Sequence, residues 1–215
     1  DDNVDVVVGT SVSPGSLAMV DVAGETKTPM ISVAANARIV EPVEGAREWV
    51  FKTPQNDLLM ANALADAMVK HGVKTLGYIG YNDAYGEGWL TVMTAAAEAK
   101  DIKMVAVERY ARTDQSVMAQ VLKLIAANPD AVLVAGSGTP AALPMRTLSQ
   151  RGYKKRIYQT HGAANNDFLR TAGASAQGVV LPTGLILVAE QLPADHPSRA
   201  VGLSYLKAYE GAHGE

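Results

Sequence analysis

Between Thr75 and Thr160, short apolar runs alternate with longer stretches whose apolar residues recur at helical spacing. The runs Thr75–Ile79, Lys103–Val107, Ala131–Ala135 and Arg156–Thr160 read as strands. The segments 84–100, 116–127 and 140–151 between them read as helices, the second carrying Val117, Val121, Leu124 and Ile125 at helical spacing. The strand runs are nearly continuous rather than alternating. A strand that is apolar on both faces must be covered on both, which is the condition of a parallel sheet flanked by helices. The same order opens the chain: a buried strand at Val4–Val8, a helix from Pro14 to about Glu25 with Ser13 as its N-cap, a strand at Met30–Val33 and an extended piece at Trp49–Lys52. Thr53-Pro54 is expected to open a helix reaching His71, with Met60, Leu64 and Met68 on one face and Gly72 as its stop. A short helix at 166–171, a strand at Gly178–Leu181 and an amphipathic helix at 197–209 follow.

Two stretches, 51–55 and 182–191, read as crossings between lobes, the second holding only a brief strand-like Leu185-Ile186-Leu187. The expected fold class is therefore α/β, with two Rossmann-like lobes whose parallel sheets are flanked by helices. Residues 1–52 are assigned to lobe 1, 53–184 to lobe 2, and 185–215 to a return segment. The chain is 48% hydrophobic and 19% charged, a composition that can bury a core. Eight of the twelve aromatic residues are Tyr, so aliphatic packing is expected to hold that core. The abrupt start at Asp1-Asp2-Asn3 and the stop at Glu215 read as cuts through a longer protein, with no signal peptide in this chain.

Several function classes fall away. A net charge of -3 with scattered Lys and Arg gives no footprint for nucleic acid. The chain has no Cys, and its four His residues (71, 161, 196 and 213) are far apart in sequence, so no metal ligand cluster is visible. The loops lack a dinucleotide fingerprint, a P-loop and a nucleophile elbow, and no paired carboxylates stand in them for acid–base work. No enzyme activity and no cofactor are expected.

In open parallel sheets, ligands sit beyond the carboxyl ends of the strands. Those ends are the segments 10–13, 34–36, 80–85, 136–139 and 161–165, dominated by small residues, neutral donors and Tyr. Ser13-Pro14-Gly15-Ser16 follows a strand and opens a helix, so its amides and hydroxyl suit a carboxylate, although Ser13 as a plain helix cap is an equal alternative. Tyr85 begins a helix beyond a strand and either walls a ligand or packs on the next loop; Asp83 reads as that helix's cap. His161 is the one histidine at a strand's carboxyl end, and a loop histidine satisfied by backbone is the simpler reading for it.

Taken in order, the phrases VDVVVGTSVSPGSLAMVDVA, TPMISVAANA, FKTPQND, GYIGYNDAYGEGW, NPDAVLVAGSGTPAALPMRTLSQRGYK and THGAANNDFLRTAG resemble the type I periplasmic solute-binding proteins of the branched-chain amino acid (Leu/Ile/Val) ABC transporter family. The resemblance spans nearly the whole chain. It implies a two-lobe clamshell with its first lobe incomplete here, a periplasmic location, a small-molecule carboxylate ligand, an ABC permease in the inner membrane as partner, and a monomer. It puts the family's carboxylate-binding Ser at Ser13, the following backbone contact at Ala34, the Thr that grips the carboxylate at Asn36, and the aromatic of the D-x-x-Y-G-E-G phrase at Tyr85. Two positions depart from the family pattern: its second-lobe Tyr corresponds to Ser137, and the Glu that neutralises the ligand's ammonium corresponds to His161. A buried ammonium needs an anionic partner, which histidine cannot supply. That weakens the case for an α-amino acid, and family members with a phrase similar to His161-Gly162-Ala163-Ala164-Asn165 look like binders of aromatic or keto carboxylates. The resemblance therefore implies an aromatic or keto acid, with a branched-chain amino acid second and the sensing domain of a receptor or regulator as the alternative role.

Overall fold

The computed structural model describes residues 3–214 and divides the chain into two compact units, Asp1–Pro182 and Thr183–Glu215. The first unit contains two parallel sheets. The smaller consists of β1 (Val7–Val8), β2 (Met30–Ser32) and β3 (Val50–Lys52), in that order. Helix α1 (Ser13–Thr26) links β1 to β2 and buries Val20 and Ala23 against Met30, Ala34, Ile39 and Val50.

The larger sheet has the order β5-β4-β6-β7, built from β4 (Thr75–Tyr81), β5 (Lys103–Tyr110), β6 (Ala131–Ala135) and β7 (Arg156–Gln159). Strand order reverses between β4 and β6, which opens a crevice beyond their carboxyl ends. Every residue of β6 is buried, as a central strand covered on both faces requires. Helix α2 (Asp57–Lys70) sends Met60, Ala61, Leu64, Ala65 and Met68 into the core, and α3 (Ala84–Glu98) sends in Trp89, Met93, Ala96 and Ala97. Helices α4 (Met118–Ala127), α5 (Ala142–Gln150) and α6 (Asn166–Ala172) complete the layers. In the second unit, a 3-10 segment at Leu185–Gln191 precedes α7 (Arg199–His213), whose Gly202 packs close to Ala189. Among the described residues no helix is long and apolar enough to cross a membrane.

The structure corrects several expectations. The strand expected at Val4–Val8 is reduced to two residues and is not buried: Val4, Val6 and Val8 are exposed, because β1 lies at a sheet edge and pairs with β2 alone. The helix expected from Thr53-Pro54 begins at Asp57, where the Asn56 side chain accepts a hydrogen bond from Leu58 N and supplies the cap that Thr53 does not. Gly178–Leu181 is no strand; it contributes a single bridge, Val180 to Tyr158. Leu185–Leu187 is helical rather than extended. The core is also more aromatic than the composition implies, with Trp89, Tyr78, Tyr81, Tyr110, Tyr158 and Phe168 among its largest fully buried side chains. Most of those tyrosines find partners for their hydroxyls, Tyr78 on Gly86 O, Tyr81 on Ser137 O and Tyr158 on His71 Nδ1, which is what allows a phenol inside a core.

Candidate functional site

The carboxyl-end loops of both sheets converge on one cavity of about 120 Å3. From the smaller sheet come Ser11, Val12 and Ser13 after β1, and Val33, Ala34 and Ala35 after β2. From the larger sheet come Tyr85 after β4, Arg112 after β5, Ser137 after β6, and His161 and Gly162 after β7; Pro54 of the crossing closes the ring. Of the residues singled out in the sequence, Ser13, Ala34, Tyr85, Ser137 and His161 all line this cavity.

Ser13 does not cap α1. Val12 holds the cap position, Ser13 is already helical, and its buried hydroxyl has no hydrogen-bond partner. A helix start with a free hydroxyl and free amides favours an anionic group. Asp83 does cap α3, its Oδ1 accepting from Tyr85 N at 2.8 Å and Gly86 N at 3.2 Å. The cap fixes the Tyr85 ring, whose hydroxyl is held by Thr160 Oγ1 at 2.8 Å. Burial raises the Tyr85 pKa well above the ordinary tyrosine value, so its hydroxyl stays protonated and serves to position the ring.

Arg112 was missed in the sequence. Its Nε donates to Asp83 Oδ2 at 2.6 Å and its Nη1 to Ser137 Oγ at 3.1 Å, while its Cζ lies 4.1 Å from the Tyr81 ring centroid. Its Nη2 is buried and has no partner. The guanidinium is thus held as a flat fork with one tine unused, a geometry that suits a carboxylate. The signal that would have found it is topological. β5 is an edge strand that runs on past its apolar stretch through the charged pair Glu108 and Arg109 to the buried Tyr110, so an apolar run that stops at Val107 ends the strand too early. Once the strand is extended, Ala111 and Arg112 become its carboxyl-end loop.

His161 packs its ring 5.6 Å from that of Trp89, and its Nδ1 is buried without a partner. Burial first, and the nearby Lys52 second, lower its pKa to about 4, so at neutral pH it is an uncharged imidazole. The positive charge comes instead from Arg112 on the rim and from Lys52 behind it. Burial lowers the Lys52 pKa, and its Nζ donates to Ala35 O at 3.2 Å and Pro54 O at 3.1 Å. None of the lining residues carries a carboxylate.

Asn36 lies elsewhere. Its Oδ1 accepts from Arg38 N at 2.9 Å, capping a short 3-10 turn (Ala37–Ile39), and its Nδ2 donates to Ala84 O at 2.6 Å. Both ends of its amide are occupied, and it lines a separate cavity of about 150 Å3 with Asp57 and Gly88. Asp57 is buried with an unpartnered Oδ1; burial raises its pKa to about 7, opposed by the charge of Lys52. Among the described residues no group of three or more His, Asp or Glu could hold a metal ion.

Comparison with known proteins bears on the family and the fold. The profile of the family described as periplasmic binding protein matches residues 1–213. An extracellular ligand-binding receptor from Rhodopseudomonas palustris HaA2 is 44% identical and superposes with a TM-score of 0.93, over 100% of this chain and 59% of that one. A solute binding protein of an ABC transporter from Rhodopseudomonas palustris BisB5, in complex with 3,4-dihydroxybenzoic acid, is 22% identical with a TM-score of 0.79, over 99% of this chain and 56% of that one. A leucine binding protein from Thermotoga maritima is 21% identical with a TM-score of 0.85, over 100% of this chain and 59% of that one. The last two likenesses concern the fold alone. No curated protein matches the chain. The chain spans less than two thirds of the length of these solved relatives.

Proposed function

We propose that this chain, which belongs to the periplasmic binding protein family, forms the ligand cleft of a solute-binding protein that captures a small organic acid and delivers it to an ABC permease. The observation that carries the reading is the set of three buried polar atoms without partners, Ser13 Oγ, Arg112 Nη2 and His161 Nδ1, on residues that line one cavity. Each such atom costs about 1–3 kcal/mol while unsatisfied, and a ligand that pairs them recovers that cost on binding. A carboxylate suits the Ser13 hydroxyl and the free Arg112 tine together, since both donate. The neutral His161 can then accept from a ligand hydroxyl, or donate to a hydroxyl or keto oxygen. Val12, Val33, Pro54 and the Tyr85 ring supply apolar walls that suit an aromatic or keto acid.

The absence of a carboxylate among the lining residues weighs against an α-amino acid, whose ammonium would be buried beside Arg112 with nothing to neutralise it. The dihydroxybenzoate held by the BisB5 protein fits the preferred class, as a ligand of a chain with the same fold. Delivery to an inner-membrane permease from the periplasm, without catalysis, follows from the family reading.

A thermal-shift panel on the full-length protein tests this. Benzoate, hydroxybenzoates and α-keto acids are expected to raise Tm, the stabilisation being about 3 kcal/mol at a hundredfold excess over Kd. Leucine and valine are expected to leave Tm unchanged. A shift with leucine or valine alone overturns the acid reading.

A further inference from the structure

Among the described residues, a single hydrogen bond joins residues 3–52 to residues 75–182: Asn36 Nδ2 to Ala84 O, at 2.6 Å. Its two ends adjoin the ligand cavity from opposite sides, since Asn36 follows the lining residue Ala35 and Ala84 precedes the lining residue Tyr85. Asn36 is buried, and its amide is pinned at both ends, by Arg38 N and by Ala84 O. It rests on the bare backbone of Gly88, one turn further along α3. A Cβ on Gly88 would stand 2.4 Å from Asn36 Nδ2, well inside contact distance. Gly88 lies within α3 and has no positive φ, so its own backbone does not require glycine; the approach of Asn36 does.

We propose that Asn36, Ala84 and Gly88 form a clasp that holds the cleft closed, so that Asn36 sets ligand affinity as a positioning residue without touching the ligand. This rests on the reading of the Ser13–Arg112–His161 cavity as the ligand site. The clasp forms only when the loop after β2 meets the start of α3, which is also the approach that sets Ala35 opposite Tyr85. Affinity measured for a closed complex falls in proportion to the closed fraction. Loss of the clasp therefore acts on affinity even though every ligand contact is kept.

The test uses Gly88→Ala, Asn36→Ala and the double variant in the full-length protein. Gly88→Ala is expected to keep or raise Tm, because alanine is favoured over glycine inside a helix. It is expected to weaken ligand binding by about tenfold, as a tenfold loss of the closed fraction would, mainly through faster release. The double variant should match Asn36→Ala alone, since the added methyl then has nothing to strike. A second readout needs no ligand. Spin labels on Val22→Cys and Leu122→Cys, both exposed and introduced into a chain with no Cys of its own, report the separation of the two sheets' helices. A short-distance population is expected in the otherwise unaltered protein and should be depleted by Gly88→Ala. If no acid binds while that population responds, the ligand reading fails and the clasp stands. If Gly88→Ala leaves both affinity and distances unchanged, or the short-distance population is missing before any substitution in the clasp, the clasp is overturned.

Discussion

The two sheets of the first unit reach the cavity by different means. The smaller sheet has strands of two or three residues, and Val4, Val6, Val8, Val33 and Phe51 around it are exposed. The larger sheet has strands of four to eight residues, with β6 buried throughout and Trp89, Tyr78, Tyr81 and Tyr110 packed around it. The chemistry follows the packing. The smaller sheet offers backbone, small side chains and two hydroxyls, Ser11 and the buried Ser13; the larger offers Arg112, His161, Tyr85 and Ser137. Fixing a guanidinium in one orientation takes partners that do not move, and Asp83, Ser137 and Tyr81 provide them. On the proposed reading, charge recognition therefore falls to the more deeply packed sheet, and closure to the more thinly packed one.

Substitutions can break or sharpen this contrast. The largest effect is expected from Leu133→Ala in β6, which empties space in a fully buried strand and should cost roughly 4 kcal/mol in a denaturant titration. Asp57→Asn comes next. The folded-state pKa of Asp57 is raised to about 7, so its contribution to stability is full below about pH 4 and is lost as pH rises through 7. Replacing it with the uncharged amide should stabilise the protein by roughly 3 kcal/mol at pH 8 and by little at pH 4, read from Tm across that range. His161 works in the opposite direction. Its folded pKa is lowered to about 4, so its contribution is present above about pH 6.5 and is lost as pH falls through 4. His161→Asn should remove roughly 2 kcal/mol of acid sensitivity from that window. The smallest effect belongs to the smaller sheet, where Val8→Thr on exposed β1 should change stability by no more than about 0.5 kcal/mol. A large loss at Val8 would erase the contrast between the sheets.

Much of the larger sheet was legible because burial on both faces writes itself as continuous apolar runs: Ala131–Ala135 is a strand with the same limits in sequence and structure. Asp83 was legible as a cap for the same local reason, a carboxylate placed just ahead of a helix. What the sequence hid depends on edges and long-range partners. β5, being an edge, tolerates the charged pair Glu108-Arg109 within the strand, and its early apparent end concealed Arg112. Val4–Val8 has the composition of a buried strand, yet burial is decided by neighbours that composition does not reveal. Asn36 was expected at the ligand because it corresponds to the family's carboxylate-gripping Thr, whereas its side chain serves a local turn and a carbonyl 48 positions away. Ser13 looked like a cap; that it is not one leaves its hydroxyl free in the cavity.

The central claim is that Arg112 holds a ligand carboxylate, and a matched pair of ligands tests it most directly. Calorimetry should compare an aromatic acid that the full-length protein binds with the corresponding neutral amide, in the unaltered protein and in Arg112→Gln. The account predicts tight binding of the acid alone, with discrimination between the two ligands collapsing in Arg112→Gln as the acid loses about 100-fold or more in affinity, the scale of a truncated buried charge pair. Equal binding of acid and amide by the unaltered protein, or an Arg112→Gln variant that still prefers the acid, would contradict it.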